Sequence, residues 1–238
     1  MKIVAMIPAR YAASRFPGKL MKMLGDKTVI RHTHDNTLAT GLFDEVWVVT
    51  DSDIIYEEIV SNGGKAVMSK QPHESGSDRI AEAAAEMEVD IIVNVQGDTP
   101  FVDKVAMRQL VDLFEDKAVQ VGSMMLPITD KEMLHNPNVV KVITDKKMNS
   151  LFFSRSVIPY MRNEAAVVEH YEHVGIYAFR KEALIAFTKW PVTPLEDAEK
   201  IECLRFLEYG IPLRMTKVDY KAVGIDTPED LKRAVKML

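Results

Sequence analysis

The sequence predicts an α/β protein: a Rossmann-like, mostly parallel sheet with helices on both faces and a small antiparallel subdomain. In the first half of the chain, short apolar segments alternate with segments of helical periodicity. This alternation is typical of strands joined by crossover helices in a parallel sheet. In the middle of the chain, β-like segments follow one another with only polar residues between them. Strands joined without helices pair antiparallel, so this region predicts the subdomain.

The first half supplies four predicted strands and three predicted helices. An apolar run at residues 3–7 is the first strand. Residues 62–64 (Asn-Gly-Gly) end the second helix, because glycine readily adopts the conformation that follows a helix end. The predicted strands are residues 3–7, 45–50, 65–68 and 90–95, and the predicted helices are residues 29–40, 53–61 and 78–88.

The second half supplies the antiparallel segments and further helices. Residues 139–144, 151–153 and 174–179 are β-like, and helices are predicted at residues 181–189, 195–209 and 228–237. We expect a single domain over residues 1–238, in which a subdomain or flap at about residues 127–180 covers the first half. No internal repeat, low-complexity segment or long linker is evident in the sequence.

Composition limits the class of protein and its cellular setting. The chain has 238 residues, 47% of them hydrophobic, and a net charge of −5, so we do not expect broad nucleic-acid binding. Its single cysteine, Cys203, cannot form an intrachain disulfide, which is typical of proteins in the reducing cytoplasm. No signal peptide is evident, and no apolar run approaches the ~20 residues of a membrane span. We therefore expect a cytoplasmic protein without a membrane anchor.

The loop after the first strand is a candidate phosphate site. Residues 6–19 (Met-Ile-Pro-Ala-Arg-Tyr-Ala-Ala-Ser-Arg-Phe-Pro-Gly-Lys) place small residues and three cations just beyond a strand end. The cations Arg10, Arg15 and Lys19 can neutralise clustered negative charge. Nucleotides usually bind beyond the carboxyl end of the first strand in such folds. The spacing is neither that of a Walker loop nor Gly-x-Gly-x-x-Gly, so the loop predicts a triphosphate cradle of another kind.

Two aspartates are candidate metal ligands. Asp98 follows the predicted strand at residues 90–95, and Asp226 stands just before the last predicted helix. Mg²⁺ prefers oxygen ligands and usually takes one or two protein carboxylates together with phosphate and water. Residues so far apart in sequence meet only if the fold brings both segments together. Asp226 also stands where a helix N-cap is expected, and that alternative stays open.

A third segment combines small and charged residues at the start of a predicted helix. Ser75-Gly76-Ser77-Asp78-Arg79 can hold a phosphate or a base edge through backbone N–H groups, or Ser77 or Asp78 can cap the helix. A helix cap gives less reason for an arginine at position 79 than a ligand site does. Gln96 lies two residues before Asp98, and strand side chains alternate, so we expect both on one face and in a shared site.

These segments resemble the CMP-Kdo synthetases, the cytidylyltransferases that activate 3-deoxy-manno-octulosonate (Kdo). The resemblance covers nearly the whole chain. It implies a nucleotidyltransferase that transfers CMP from CTP to the anomeric hydroxyl of Kdo and releases diphosphate, for lipopolysaccharide or surface-polysaccharide synthesis. It also implies Mg²⁺ as cofactor, an acidic 2-keto sugar as second substrate and a homodimer. The six segments that carry it, in the family's order and at about its spacing, are residues 6–19, 73–79, 94–98, 153–155, 173–177 and 224–231.

The resemblance also implies roles for individual residues. Asp98 and Asp226 would hold the metal, and Asp98, Lys19 and Arg10 would be catalytic. The implied sugar-binding residues are Gln96, Arg155, His173, Tyr177 and Glu202. The implied nucleotide-binding residues are Ala9, Arg10, Ser14, Arg15, Lys19, Ser75, Gly76, Arg79 and Gln96.

Residue chemistry supports the sugar-side roles in part. Arginine forms bidentate contacts with a carboxylate such as that of a 2-keto sugar acid, which suits Arg155. His173 and Tyr177 lie four apart in an extended run and hence on one face, although a lone histidine in a strand is more often structural. Glu202 flanks an apolar helical stripe and can instead form an i,i+3 surface pair with Arg205.

Two positions near the proposed site depart from the family's pattern. Thr99 stands where the family usually has glutamate, and Cys203, expected as a packed thiol in mid-helix, stands where it has glutamine. The departures concern the acceptor sugar more than the chemistry. A related ulosonate, such as 8-amino-Kdo or a sialic-acid-like sugar, is therefore an alternative substrate. A non-catalytic nucleotide-binding protein is a less favoured alternative, because both aspartates are present.

Overall fold

A mixed β-sheet forms the centre of the molecule. The computed structural model describes residues 1–12, 16–73, 75–163 and 165–238 of the chain. The described strands are β1 (Ile3–Ala9), β2 (Met23–Leu24), β3 (Lys27–Thr28), β4 (Glu45–Thr50), β5 (Lys65–Met68), β6 (Ile91–Asn94), β7 (Val121–Pro127), β8 (Lys141–Thr144), β9 (Ser150–Ser154), β10 (Tyr171–Arg180) and β11 (Arg214–Lys217). The described helices are α1 (Val29–Ala39), α2 (Asp53–Val60), α3 (Gly76–Ala85), α4 (Lys104–Asp112), α5 (Lys131–His135), α6 (Lys181–Phe187), α7 (Pro194–Glu199), α8 (Leu204–Glu208) and α9 (Pro228–Val235).

Four neighbouring strands form the parallel half of the sheet. β1 pairs in parallel with β4 and with β6, and β4 pairs with β5 in the same sense. Ala5 and Ile7 of β1 are buried in one apolar layer, whereas Val4 and Met6 are buried in the other. Because crossover helices cover both faces of a parallel sheet, both sets of side chains are apolar, and residues 3–7 form an unbroken apolar run. The strands and helices predicted for the first half are confirmed, with ends that differ by three residues or fewer.

The other half of the sheet reverses one strand. β10 runs antiparallel between β6 and β7, and β11 pairs with β7 in parallel. The central row has the order β11-β7-β10-β6-β1-β4-β5, in which β10 alone points the opposite way. The predicted α/β class with a mostly parallel sheet is confirmed, but β7, β11 and α4 were not predicted. β7 reads Val-Gly-Ser-Met-Met-Leu-Pro, which shows neither strict alternation nor a β-branched run.

An antiparallel hairpin of β8 and β9 extends the sheet beside β10. β8 pairs with β9 and with the first residues of β10, whereas the last residues of β10 pair with β6. The β-like segments predicted at residues 139–144, 151–153 and 174–179 are therefore strands. The third belongs to the central sheet and not to a separate flap alone. The description of the chain as one domain with a flap at about residues 127–180 stays a prediction.

The single helix predicted at residues 195–209 is wrong. The chain forms two short helices, α7 and α8, and between them Lys200 adopts a left-handed conformation with φ of 53°. Arg205 does not form a surface pair with Glu202. Its buried guanidinium donates to both carboxylate oxygens of Glu196, at 2.7 and 2.6 Å. This ion pair ties α8 to α7 and so fixes the turn in which Glu202 lies.

We expect Arg205→Met to lower the free energy of unfolding by about 3–5 kcal/mol, because it leaves the buried Glu196 carboxylate without its partner. Glu86→Gln is the matched control, since its partner Lys70 and Glu86 itself are exposed and such pairs contribute about 0–1 kcal/mol. Urea unfolding at neutral pH measures both variants. Equally small losses in the two would contradict a structural role for the buried pair.

Candidate active site

A cleft of about 270 Å³ lies beyond the carboxyl ends of β1 and β6. The loop after β1, the turn after β6 and the start of α3 form its walls. Gly97 permits their close approach, since a Cβ at this position would lie 3.0 Å from the Pro8 carbonyl oxygen. The fold thus brings segments that are distant in sequence into one cavity. The lining residues are Pro8, Ala9, Arg10, Phe16, Lys19, Leu20, His73, Ser75, Gly76, Arg79, Gln96, Gly97, Asp98 and Asp226.

The loop after β1 folds back on itself and directs Lys19 into the cleft. The Gly18 N–H donates to the Tyr11 carbonyl oxygen at 3.2 Å. Gly18 has φ of 65°, a conformation that favours glycine, and a 3₁₀ turn over Lys19–Met21 follows it. This turn explains why glycine stands directly before the lysine.

Of the other predicted nucleotide ligands of this loop, the structure describes two and leaves two outside the described residues. Ala9 is buried and Arg10 is exposed, and both line the cleft. Ser14 and Arg15 lie outside the described residues, so their roles stay predictions. The described part of the loop therefore supplies two cations, Arg10 and Lys19, to the cleft.

The Lys19 ammonium lies between the two candidate metal ligands. Nζ donates to Asp98 Oδ2 and, at 2.9 Å, to Asp226 Oδ1. Burial disfavours the charge on Lys19, but the two carboxylates, Asp98 first, outweigh burial and raise the pKa of Lys19 above its usual value. The aspartates therefore meet, as a shared metal site requires.

Backbone contacts fix Asp226 beside Asp98. The Ile225 N–H donates to the Asp98 carbonyl oxygen at 2.9 Å and joins the two segments directly. The Asp230 carboxylate accepts hydrogen bonds from the N–H groups of Asp226 at 3.1 Å and Thr227 at 2.9 Å. Thr227, not Asp226, is the N-cap of α9. The capping alternative for Asp226 is therefore wrong, and its carboxylate contacts Lys19 instead.

Gln96 and Asp98 both line the cleft, but not for the reason predicted. β6 ends at Asn94, and the Thr99 N–H donates to the Gln96 carbonyl oxygen at 3.0 Å to form a turn. The two side chains therefore share a site through this turn and not through strand alternation. Thr99 itself is buried and does not line the cleft.

The first turn of α3 borders the cleft. Its N-cap is Ser75, whose Oγ accepts a hydrogen bond from the Asp78 N–H at 3.1 Å. The predicted caps, Ser77 and Asp78, were wrong, because the helix begins earlier, at Gly76. The backbone N–H groups of this first turn consequently lie beside the cleft, where they favour a negatively charged group.

Arg79 has a structural contact as well as a place in the cleft wall. Its guanidinium is buried and donates to Asp51 Oδ2 at 2.7 Å and to Ser69 Oγ at 3.3 Å. Asp51 directly follows β4, and Ser69 directly follows β5. Arg79 thus ties α3 to the ends of two strands, and its predicted contact with the nucleotide stays a prediction.

Glu202 connects the cleft to a second, smaller cavity. Its Oε1 accepts a hydrogen bond from Ser75 Oγ, a cleft residue, at 3.3 Å. Burial raises the pKa of Glu202, with hydrogen bonding from Ser77 opposing this effect and the nearby Asp78 adding to it. The smaller cavity is lined by Ser77, Tyr177, Phe179, Phe187, Glu202, Cys203 and Phe206. Glu202 therefore joins the small cavity to the cleft through its contact with Ser75.

His173 and Tyr177 lie on one face of β10, as predicted. Their ring centroids are 5.3 Å apart, and His173 Nε2 is 3.0 Å from Ser123 Oγ. Burial lowers the pKa of His173 to about 3 and raises the pKa of Tyr177. Both side chains are therefore neutral at neutral pH and are suited to hydrogen bonding rather than to proton transfer.

Arg155 does not line the cleft. Its guanidinium donates to the backbone carbonyl oxygens of Glu199 at 2.6 Å, Pro137 at 2.9 Å and Lys200 at 3.3 Å. Contact with a sugar carboxylate would require Arg155 to exchange some of these hydrogen bonds. Its sugar-binding role stays a prediction.

Cys203 is a packed thiol at the start of α8, not in mid-helix as expected. It lines the small cavity together with Tyr177, and burial raises its pKa. A buried thiol with a raised pKa is inert as a nucleophile. Cys203 therefore contributes shape to the small cavity.

Comparison with known proteins identifies the family. Residues 4–218 match the family model described as cytidylyltransferase. The chain belongs to the cytidylyltransferase family. The 3-deoxy-manno-octulosonate cytidylyltransferases of Flavobacterium johnsoniae and Christiangramia forsetii are 54% and 55% identical to it, over 100% of this chain and 99% and 97% of theirs. The family predicted from the six segments is confirmed.

The fold comparison agrees. A solved structure of a CMP:2-keto-3-deoxy-manno-octonic acid synthetase complexed with CTP has a TM-score of 0.95 at 36% identity and covers 100% of this chain and 98% of that chain. A 4-diphosphocytidyl-2C-methyl-D-erythritol synthase from Anaerococcus prevotii has a TM-score of 0.64 at 17% identity, over 99% of this chain and 98% of that chain. The second likeness shows the fold alone.

Asp98 and Asp226 are the residues of the cleft that could hold a metal ion. Within residues 1–12, 16–73, 75–163 and 165–238, no group of three or more His, Cys, Asp or Glu side chains is arranged for one. Zinc sites in proteins use three or four such ligands. Two carboxylates that converge on one cation instead fit Mg²⁺, whose other ligands are phosphate and water.

Sequence reasoning did not assign His73 to the site. His73 lines the cleft, and its Nε2 is 3.0 Å from Glu82 Oε2. The signal was available, because His73 opens the segment 73–79 that also carries Ser75 and Arg79.

We expect the contribution of His173 to stability to depend on pH. Its pKa is about 3 in the folded protein against 6.5 normally, so below pH 6.5 the unfolded chain binds a proton that the folded protein does not. The folded state is therefore destabilised as pH falls from 6.5 toward 3, by about 1.4 kcal/mol per pH unit for this group.

Urea unfolding of the wild type and His173→Gln at about pH 7.5 and about pH 5 measures this effect. The variant should lose less stability on acidification than the wild type. Parallel losses in the two proteins would show that His173 is not held neutral.

Proposed function

We propose that this chain transfers CMP from CTP to the anomeric hydroxyl of 3-deoxy-manno-octulosonate (Kdo) and releases diphosphate. The sugar oxygen bonds to the α-phosphorus as the bond to diphosphate breaks, and the hydroxyl proton passes to water. The observation that carries the proposal is the meeting of Asp98, Asp226 and Lys19 in one cleft. It occurs in a chain 54% identical over its whole length to a 3-deoxy-manno-octulosonate cytidylyltransferase.

The cleft acts mainly by positioning and by neutralising charge. Arg10 and Lys19 oppose the negative charge of the triphosphate and of the departing diphosphate, and we propose that Ser14 and Arg15 act with them. The first turn of α3, with Ser75 and Gly76, supplies backbone N–H groups beside the nucleotide. Phe16 and Leu20 give the cleft an apolar wall that limits water. Ala9, Arg79 and Gln96 complete the proposed nucleotide site.

We assign Mg²⁺ to Asp98 and Asp226. The donor set fits this ion, because two hard oxygen ligands already converge on a single positive charge, that of Lys19. Bound there, Mg²⁺ would lower the charge on the α-phosphate and would favour ionisation of the attacking hydroxyl. Without the ion, Lys19 keeps the two carboxylates together; with the ion bound, its ammonium would supply a positive charge next to the phosphates.

We propose that the acidic sugar binds beside the cleft, along the series Ser75, Glu202, Tyr177 and His173. Ser75 contacts Glu202, and Glu202 and Tyr177 share the small cavity. His173 then contacts Tyr177. His173 and Tyr177, which are neutral at neutral pH, suit hydroxyl recognition, whereas the charged groups of the cleft suit phosphate. Gln96 and Arg155 complete the proposed set, Gln96 from the cleft and Arg155 from the end of β9.

A diphosphate-release assay with CTP, Mg²⁺ and a panel of ulosonates tests the function. We expect Kdo to be the preferred acceptor. A preference for 8-amino-Kdo or a sialic-acid-like sugar would assign the chain to a related ulosonate, the alternative raised by Thr99 and Cys203. Release with none of the sugars would contradict the proposed enzyme.

Asp98→Asn and Asp226→Asn should each lower turnover at least ~100-fold, because a positioned metal charge supplies several kcal/mol of transition-state stabilisation. Asp112→Asn on the exposed face of α4 is the control and should leave turnover unchanged. Steady-state diphosphate release, with circular dichroism to verify folding, is the measurement. Near-normal turnover in either site variant would overturn the metal assignment.

Lys19→Ala should raise the KM for CTP by at least ~10-fold and leave the KM for the sugar nearly unchanged, because the ammonium faces the phosphates. Lys22→Ala, an exposed lysine three residues away, should change neither constant. Initial rates with each substrate varied in turn separate the two effects. If only the KM for the sugar changed, the phosphate cradle would be wrongly placed.

We also propose that the chain is a cytoplasmic homodimer that associates through the β8–β9 extension, as the resemblance implies. Apolar side chains are exposed on β9 and on the connection that follows it: Leu151 at 59%, Tyr160 at 88% and Val167 at 97%. An exposed apolar patch of this kind favours a protein partner. No helix in the described part of the chain is long and apolar enough to cross a membrane.

Leu151→Asp should shift the mass in solution from a dimer to a 26.9 kDa monomer, because it places a charge in the proposed interface. Val105→Asp, equally apolar and exposed but on α4, is the control and should remain dimeric. Light scattering coupled to size-exclusion chromatography measures both. A wild type that is already monomeric would refute the dimer.

A further inference from the structure

A buried serine on β7 contacts three groups of β10. Ser123 Oγ lies 3.0 Å from His173 Nε2, 3.2 Å from the Val174 carbonyl oxygen and 2.9 Å from the Ile176 carbonyl oxygen. Ser123 is 0% exposed. The pairing of β7 with β10 shifts register between Val174 and Tyr177, so both carbonyls lie at this irregularity.

The number of protons at this point decides which atom donates. A serine hydroxyl has one proton and can also accept, a carbonyl oxygen can only accept, and a neutral imidazole has one proton. If Ser123 donates to His173, one hydrogen bond forms and neither carbonyl receives the hydroxyl proton. If Ser123 donates to a carbonyl and accepts from His173 Nε2–H, two hydrogen bonds form. Because buried polar groups that stay unpaired are costly, the second arrangement is favoured.

We propose that Ser123 is a positioning residue that holds His173 as its Nε2–H tautomer and leaves Nδ1 as an acceptor for a hydroxyl of the acidic sugar. The sugar contact rests on the proposed function. Among the described residues the His173 ring makes its hydrogen bond through Nε2, to Ser123, and His173 keeps 9% of its surface exposed. Burial also lowers the pKa of His173 to about 3, so the ring has a single proton at neutral pH.

Ser123 also shapes the backbone that presents both rings. The carbonyls that it contacts lie between His173 and Tyr177, in the part of β10 that departs from regular pairing. The two rings nevertheless lie on one face, 5.3 Å apart. The Ser123 hydroxyl fixes this irregularity of β10. It therefore orients the His173 ring and at the same time sets the ring's tautomer.

Nitrogen-15 NMR of the histidine-labelled wild type tests the tautomer without any substitution. The His173 ring should show a protonated Nε2 and an unprotonated Nδ1 at neutral pH, and addition of Kdo should shift the Nδ1 resonance more than the Nε2 resonance. A protonated Nδ1 in the free protein would overturn the inference. A larger shift at Nε2 would do the same for the sugar contact.

Kinetics of Ser123→Ala test the consequence for the sugar. The KM for Kdo should rise roughly 10-fold, with the KM for CTP and kcat within about two-fold of the wild type. Ser150→Ala is the matched control, because Ser150 is also a buried serine, but its Oγ accepts from the Leu213 N–H. Ser150→Ala should change neither KM. Ser123→Thr retains the hydroxyl and should keep the wild-type tautomer.

The outcomes separate this inference from the proposed function. Equal effects of Ser123→Ala and Ser150→Ala on both substrates would reduce Ser123 to a merely structural role and overturn the inference. If the wild type used CTP with none of the ulosonates, the proposed function would fail and the sugar contact with it. The NMR measurement on the wild type would still decide the tautomer.

Discussion

The ion pairs of Lys19 with Asp98 and Asp226 are the interaction on which the candidate site depends. Two carboxylates that face one point repel each other, and the ammonium offsets that repulsion. The three residues come from the loop after β1, the turn after β6 and the segment before α9. They meet because parallel strands end at one edge of the sheet, where open α/β sheets bind their ligands. The same arrangement of charge suits a divalent cation and a triphosphate.

Charged side chains concentrate around this centre and become fewer with distance from it. The proposed positions of the two substrates match this distribution, with the triphosphate in the cleft and the sugar beyond it. The cleft contains charged side chains and the start of α3, whereas beyond it His173 is buried and Glu202 and Tyr177 are half-buried. Burial raises the pKa of Glu202 and lowers that of His173, so both tend toward their neutral forms. Ser75 lies at the boundary, since it lines the cleft and contacts Glu202. One connected surface can therefore bind a phosphate at one end and sugar hydroxyls at the other.

Local patterns predicted most of the first half of the fold, because apolar periodicity is a property of neighbouring residues. β7 and β11 were not predicted, since β7 pairs with β10, a distant strand that runs the opposite way, and β11 in turn pairs with β7. The break between α7 and α8 was also missed, because a lysine, Lys200, and not a glycine adopts the left-handed conformation there. Asp98 and Asp226 were recognisable as candidates from their positions beside predicted elements. Their meeting depends on strand order. The residue pattern alone does not determine strand order, whereas the family resemblance implied it.

A double-mutant cycle on Lys19 and Asp98 tests the central interaction most directly. The free energies of unfolding of the wild type, Lys19→Met, Asp98→Asn and the double variant are measured by urea titration in the presence of a chelator. If the ammonium holds the carboxylates together, the cycle should give a favourable coupling of about 1–3 kcal/mol, because the second substitution costs less once the first is made. Additive effects, with a coupling near zero, would contradict the structure of the site.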